Sequence, residues 1–440
     1  MSRVRNRQEL LAHAEGELRF AREVLLEVIE EVIRAADPEM AVGRFLRREG
    51  SRLEVGGETF ELRGKVLVLG VGKAAAPMVE AALARLGDVA HALAVVPKGQ
   101  GRRFPRVEVV EGEHPLPGEG SILAGRKVLS LLRNLQPEDL VLCLISGGGS
   151  AMLEVPPPGI TLEDLRATNE LLLKCGANIH EINTVRKHLS LVKGGQLVRL
   201  SAPARVLSLM ISDVPGDVKH DIASGPTEPD PTSFADAREV LCRYGLWEKV
   251  PQSVHQWIER GIKGEAEETP KPGERIFEGY RSWIVASNSL ALRAAAEVGR
   301  RYHLRVSLSG LSGEAREMGV KIAGEREKGL HLWGGETTVT VRGSGKGGRN
   351  QELVLAASPH LADRSSALFS IGTDGIDGQT DAAGAMADGA TLARARKLSL
   401  IPQDFLERND SYHFFRALGD LILTGPTGTN VMDIAGLLNL

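Results

Sequence analysis

Seven short segments concentrate glycine, hydroxyl-bearing side chains and charge, and the chemistry they suggest is the handling of anions. The first is LGVGKAAAP, where Gly70, Gly72 and Ala75 give the pattern G-x-G-x-x-A. Such a turn, after a strand and opening a helix, admits a phosphate or a dinucleotide. Lys73 stands inside it, and an ammonium facing a helix N-terminus is unfavourable unless an anion shares the place. The turn is not a P-loop, because Gly-Lys is followed by Ala74 and no Gly lies five residues before Gly72. The next apolar run ends in Lys98, where a nicotinamide enzyme would carry an acid for the ribose. The second segment is SGGGSA: Ser146, Gly147, Gly148, Gly149 and Ser150. Three consecutive glycines let backbone N–H groups approach a phosphate, and the hydroxyls add donors.

The third segment, residues 211–230, places Asp213 and Asp217 around a Pro-Gly turn. These carboxylates could hold Mg²⁺ by one or two oxygens, phosphates completing the shell, although turn chemistry alone also explains them. The fourth, residues 183–195, carries Arg186, Lys187 and Lys193. On one helix Arg186 and Lys193 share a face, suited to a substrate carboxylate or phosphate or simply to solvent. In the fifth, residues 334–352, Lys346 and Arg349 lead into a helix, and Glu336 could orient a ligand or metal. In the sixth, residues 372–385, Asp374, Asp377 and Asp381 follow a strand without EF-hand spacing. They could serve Mg²⁺ or act as a base; helix capping by Asp381 is the competing explanation. The seventh, residues 424–433, is another hydroxyl- and glycine-rich loop that a plain turn also explains.

The elements around these segments predict why they would meet. Apolar runs at 62–70, 91–96, 138–145 and 205–212 read as strands, and helical periodicity covers 8–36, 72–86, 120–132, 161–174 and 184–200. Strands alternating with helices predict an open, mostly parallel sheet covered on both faces, with ligands beyond the carboxyl ends of its strands. Residues 263–275 are polar, contain Pro and Gly, and read as a linker. A second set follows, with strands at 283–286, 305–308, 330–333, 338–341 and 367–371 and helices at 289–302, 314–328 and 350–357. The expected division is 1–270 and 275–440.

Composition narrows the function classes. The 440 residues suggest about two domains. With 54 basic and 57 acidic residues, net charge is −3, which gives no electrostatic case for nucleic acid or an anionic membrane. Cys143, Cys175 and Cys242 are too scattered for a disulfide framework or structural zinc. The charged N-terminus does not read as a signal peptide and no apolar run is long enough to span a bilayer, so a cytoplasmic location is expected. Composition carries no signal for assembly, and a homodimer is the default expectation.

Taken in order, GVGKAA, HPLP, SGGGSA, NTVRKHLS–KGG, SDVPGD–ASGPT, GGETTVTV–GKGGRNQE, GTDGIDG–TDAAGA and TGPTGTNV resemble the MOFRL-type glycerate 2-kinases from about Val66 onward. The resemblance implies an α/β fold with a Rossmann-like N-terminal domain, a smaller α/β C-terminal domain and an inter-domain cleft. It implies transfer of the γ-phosphoryl of ATP to the 2-hydroxyl of D-glycerate, with Mg²⁺. Lys73 and Arg349 would be the catalytic cations, and Ser146 to Ser150, with Gly70 and Gly72, would hold ATP. Asp374 would accept the hydroxyl proton, Asp213 or Asp217 would hold the metal, and Arg186, Lys193 and Glu336 would meet substrate. Two rivals remain at this level: an NAD(P)-dependent hydroxypyruvate reductase, and a regulator that binds a nucleotide or sugar phosphate without turnover.

Overall fold

The structure, a computed structural model, describes residues 2–101 and 104–440. It divides into two compact units, residues 38–285 and residues 1–37 with 286–440.

In residues 38–285 an antiparallel meander, β1 (Leu46–Glu49), β2 (Arg52–Val55) and β3 (Glu58–Glu61), precedes a larger sheet. That sheet contains β4 (Val66–Val71), β5 (His91–Pro97), β6 (Glu108–Gly112), β7 (Leu140–Ile145), β8 (Arg205–Ile211) and β9 (Arg281–Ala286). Every side chain of β4 and β7 is buried, as expected of central strands covered on both faces. The spatial order is β6-β5-β4-β7-β8-β9, and the first five run parallel. The order reverses between β4 and β7, which opens a crevice beyond their carboxyl ends, the Rossmann-like arrangement. A separate apolar cluster joins the helices Leu162–Lys174, Ile179–His188, Phe234–Arg243 and Gln252–Ile262.

The other unit is built on β10 (Val306–Leu311), β11 (Gly329–Gly335), β12 (Ser366–Gly372), β13 (Gly384–Asp388), β14 (Leu421–Ile422) and β15 (Asp433–Asn439), in the order β10-β11-β15-β12-β13-β14. β15 runs antiparallel between β11 and β12. The carboxyl ends of β11 and β12 therefore meet the amino end of β15, and Asp433 pairs with Gly335 on one side and Gly372 on the other.

The structure departs from the sequence expectations in several places. Residues 1–37 belong with the C-terminal unit, and β9 joins the N-terminal sheet, so the boundary lies at 285/286 instead of 270–275. The cause is long-range. Arg22 is fully buried in the helix Gly16–Ala36, its Nε 2.6 Å from Asp388 and its Nη1 2.8 Å from Asp420. The expected helix 8–36 is two helices, Arg7–Ala12 and Gly16–Ala36. The expected helix 184–200 is also two, Ile179–His188 and Gln196–Ser201, because Gly194 and Gly195 both take positive φ. No strand forms at 338–341, where a single bridge joins Glu314 and Thr338. β13 escaped notice because an Ala- and Gly-rich strand lacks the β-branched signal, and β1, β2, β3, β6 and β15 were not expected either. Among the described residues no helix is long and apolar enough to cross a membrane.

Candidate functional site

The crevice of the first unit is lined by the loops that leave β4 and β7. Gly72 takes φ +120°, and a Cβ there would overlap Ser146. A Cβ on Gly70 would overlap Val79 of the following helix, so both glycines are set by close approach. The loops are stitched together: the Lys73 amide donates to the Gly147 carbonyl at 2.9 Å, and the Ala74 amide to Ser146 Oγ at 3.0 Å. Ser146 is thereby buried and engaged inside the fold, against the expectation that its hydroxyl faces a ligand. Beyond it, the amides of Gly147, Gly148, Gly149 and Ser150 donate to no protein acceptor among the described residues. Consecutive backbone donors without a protein acceptor are what an anion-binding loop requires. Lys73 is exposed beside them and forms no ion pair among the described residues.

Other predicted residues gather at the same loop. A Cβ on Gly147 would overlap the Asp213 carboxylate, so Asp213 lies against the glycine run. Asp217 sits in the Pro215–Asp217 turn with φ +56°. Among the described residues no three His, Cys, Asp or Glu side chains gather as a metal cage. Magnesium that arrives on a nucleotide needs only one or two carboxylates, and Asp213 fits that demand. Arg186 is half-buried; its Nε donates to Asn169 Oδ1 at 2.6 Å, and it lines a small cavity with Ser150. Burial lowers its proton affinity and Glu154 restores part of it.

Lys193 does not share that face. The helix ends before it, and its buried ammonium lies 2.5 Å from Glu154 and 3.2 Å from the Leu153 carbonyl. Its place is that of a packed ion pair. His114 was named only within HPLP and given no role, yet it belongs to the crevice. A Cβ on Gly148 would lie 3.2 Å from both His114 Cδ2 and Lys73 Cγ. Partial burial, with the charges of Lys73 and Arg186, pushes its imidazole down to about 4, so it is neutral near pH 7.

The second unit collects its own charged group where β11, β12 and β15 meet. Arg349 opens the helix Arg349–Ala357 and forks onto Asp433, Nε to Oδ2 at 2.5 Å and Nη2 to Oδ1 at 3.0 Å. Its Nη1 bonds Glu336. Burial pushes the Asp433 carboxyl up to about 7, against the pull of Arg349. Asp433 carried no assigned role; the only trace in the sequence is a lone acid closing the seventh segment. Asp374 lies in the loop after β12, its Oδ1 accepting from the Ile376 amide at 3.1 Å. A Cβ on Gly372 would lie 3.0 Å from Asp374 and 3.5 Å from Asp433, so the two acids neighbour one glycine. Asp377 is buried and accepts from the Asn350 and Gln351 amides, which makes it the cap of the Arg349 helix. Asp381 accepts from the Tyr412 hydroxyl at 2.8 Å.

Residues 24–259 match a family described as a domain of unknown function, DUF4147, and residues 329–433 match the MOFRL family. The chain is 43% identical to a glycerate 2-kinase of Pyrococcus horikoshii, covering 94% of this chain and 96% of that protein. It is also 43% identical to an Agrobacterium vitis protein named as a candidate hydroxypyruvate reductase, covering 95% and 94%. The crystal structure of a Thermotoga maritima glycerate kinase superposes with a TM-score of 0.83 at 35% identity, covering 95% of this chain and 99% of that one.

Proposed function

The chain belongs to the MOFRL-type glycerate 2-kinases, and on that premise we propose that it transfers the γ-phosphoryl of ATP to the 2-hydroxyl of D-glycerate, giving 2-phosphoglycerate and ADP. The observation that carries this reading is the run of four amides at Gly147–Ser150, without a protein acceptor among the described residues, beside the exposed Lys73. Phosphoryl transfer asks for positioning and positive charge around the moving group, and little else from the protein. The amides hold phosphate oxygens and Lys73 balances the charge that develops on the transferring group. The resemblance makes Arg349 the second catalytic cation, and within its own unit it keeps N–H donors beyond those committed to Asp433 and Glu336. Asp374 is the acceptor of the hydroxyl proton. Mg²⁺ entering with ATP would neutralise phosphate charge against Asp213. A supply of ATP fits a cytoplasmic location.

The reductase name of one relative has a counterargument in this chain. The residue after β5 is Lys98, exposed, where a nicotinamide ribose would need an acid. One assay separates the readings: ATP, Mg²⁺ and D-glycerate, with the product resolved by NMR. 2-Phosphoglycerate is expected. 3-Phosphoglycerate would keep the kinase and move the acceptor position. Oxidation of NAD(P)H by hydroxypyruvate without phosphate transfer would replace the kinase with a reductase.

A further inference from the structure

Ser150 ends a chain of hydrogen bonds whose direction is fixed from its far end. Asn183 Nδ2 donates to the Asp221 carbonyl and to Asp221 Oδ1, each at 3.1 Å. Burial alone would raise the Asp221 carboxyl, but hydrogen bonds from His220, Asn183 and His180 outweigh it and hold it well below the usual range. An ionised carboxylate and a carbonyl only accept, so the NH₂ of Asn183 must face them and its oxygen must face away. That oxygen accepts from Ser224 Oγ at 2.8 Å. Ser224 has one hydroxyl proton, and this bond uses it. The 2.8 Å contact between Ser224 Oγ and Ser150 Oγ therefore has Ser150 as its donor. The proton of Ser150 points inward, and toward the crevice it presents lone pairs alone.

The fold enforces this direction. Asn183 and Ser224 are fully buried, and Ala223 and Ser224 both hold left-handed backbone, φ +51° and +60°, which non-glycine residues keep only where their surroundings impose it. A phosphate oxygen has no hydrogen to offer such a group. Ser150 also lines a small cavity with Arg186 and Asn169. That cavity has room for about one water, so a hydroxy acid would stay outside it, with its carboxylate on Arg186 and its hydroxyl donated to Ser150.

We propose that Ser150 is a specificity residue that accepts a hydrogen bond from a hydroxyl of the hydroxy-acid substrate, with Arg186 as the carboxylate partner, and that Ser224 and Asn183 are positioning residues that fix its direction. This rests on the glycerate reading above. The test is steady-state kinetics of Ser150→Ala and Ser224→Gly, the latter chosen because glycine accepts the left-handed backbone. The KM for D-glycerate should rise about tenfold in each, with the KM for ATP unchanged. Inhibition by D-lactate and by 3-hydroxypropionate should show one of the two, the analogue lacking the hydroxyl that Ser150 accepts, losing nothing in Ser150→Ala. A higher KM for ATP with an unchanged KM for glycerate would overturn the inference and make the Ser150 hydroxyl, and not only its amide, a nucleotide contact. Equal weakening of both analogues would also overturn it. Absence of glycerate phosphorylation by the unaltered enzyme is a separate result: it removes the substrate reading, and this one with it.

Discussion

Lys73 and Arg349 were expected to play matching parts, but their surroundings differ. Lys73 is exposed and without an ion pair among the described residues, so Lys73→Ala should lower kcat by about 10²–10³-fold and leave the urea midpoint unmoved. A loss of stability would show that its role is packing. Arg349 is forked onto a carboxylate with no exposed surface. Arg349→Ala should cost activity and also about 3–5 kcal/mol of stability, because it leaves Asp433 buried without its partner. Unchanged denaturant unfolding would remove Asp433 from that account. His114 gives a pH signature. Its folded value, about 4, lies below the usual 6.5. Between those values the unfolded chain takes up a proton that the folded chain refuses, so its contribution to stability is present above pH 6.5 and fades as pH falls toward 4. Its NMR titration midpoint should sit near 4 and rise when inorganic phosphate or ATP binds, because the added negative charge offsets Lys73 and Arg186. A midpoint near 6.5 in the free enzyme would contradict the crevice geometry.

Among the elements, the joint between the β4 and β7 loops sets the site. Gly72→Ala puts a Cβ against Ser146 on a backbone that L side chains rarely adopt, so a loss of about 1–3 kcal/mol is expected in urea unfolding, together with weaker ATP binding. A variant that unfolds like the parent and keeps its ATP affinity would show that the loops do not need this contact. Much of this joint was legible beforehand. Strands β4, β5, β7 and β8 are mostly aliphatic runs, and the Gly-rich segments follow β4 and β7 directly in the sequence. What was not legible is the use each side chain finds. Ser146 and Lys193 look like ligand-binding groups by type, and the structure engages both inside the fold. His114 is a single residue in an ordinary loop and Asp433 opens β15, and only the pairing of distant strands brings them to the loops that carry Lys73 and Arg349.

At the level of the whole molecule, a local reading fails where a unit is discontinuous. The run of residues 8–36 has good helical periodicity, but periodicity names no partner. The partner is the sheet of the C-terminal unit, through Arg22 to Asp388 and Asp420. Arg22→Ala should cost about 3–5 kcal/mol, and hydrogen exchange should quicken in residues 286–440 while β4 and β7 stay protected. Faster exchange in β4 and β7 instead would place the helix with the other unit. The same connectivity bears on how the chain is made. The helix Gly16–Ala36 emerges from the ribosome early, whereas β15, an interior strand of the sheet it covers, is translated after every other strand of that sheet. Roughly 400 residues separate them, on the order of 20–80 s of elongation. For that interval the helix has an apolar face and no sheet to cover, while residues 38–285 can complete their own core. A nascent-chain chaperone would find its longest-lived client surface on the helix Gly16–Ala36, made long before the strand that completes the sheet it covers.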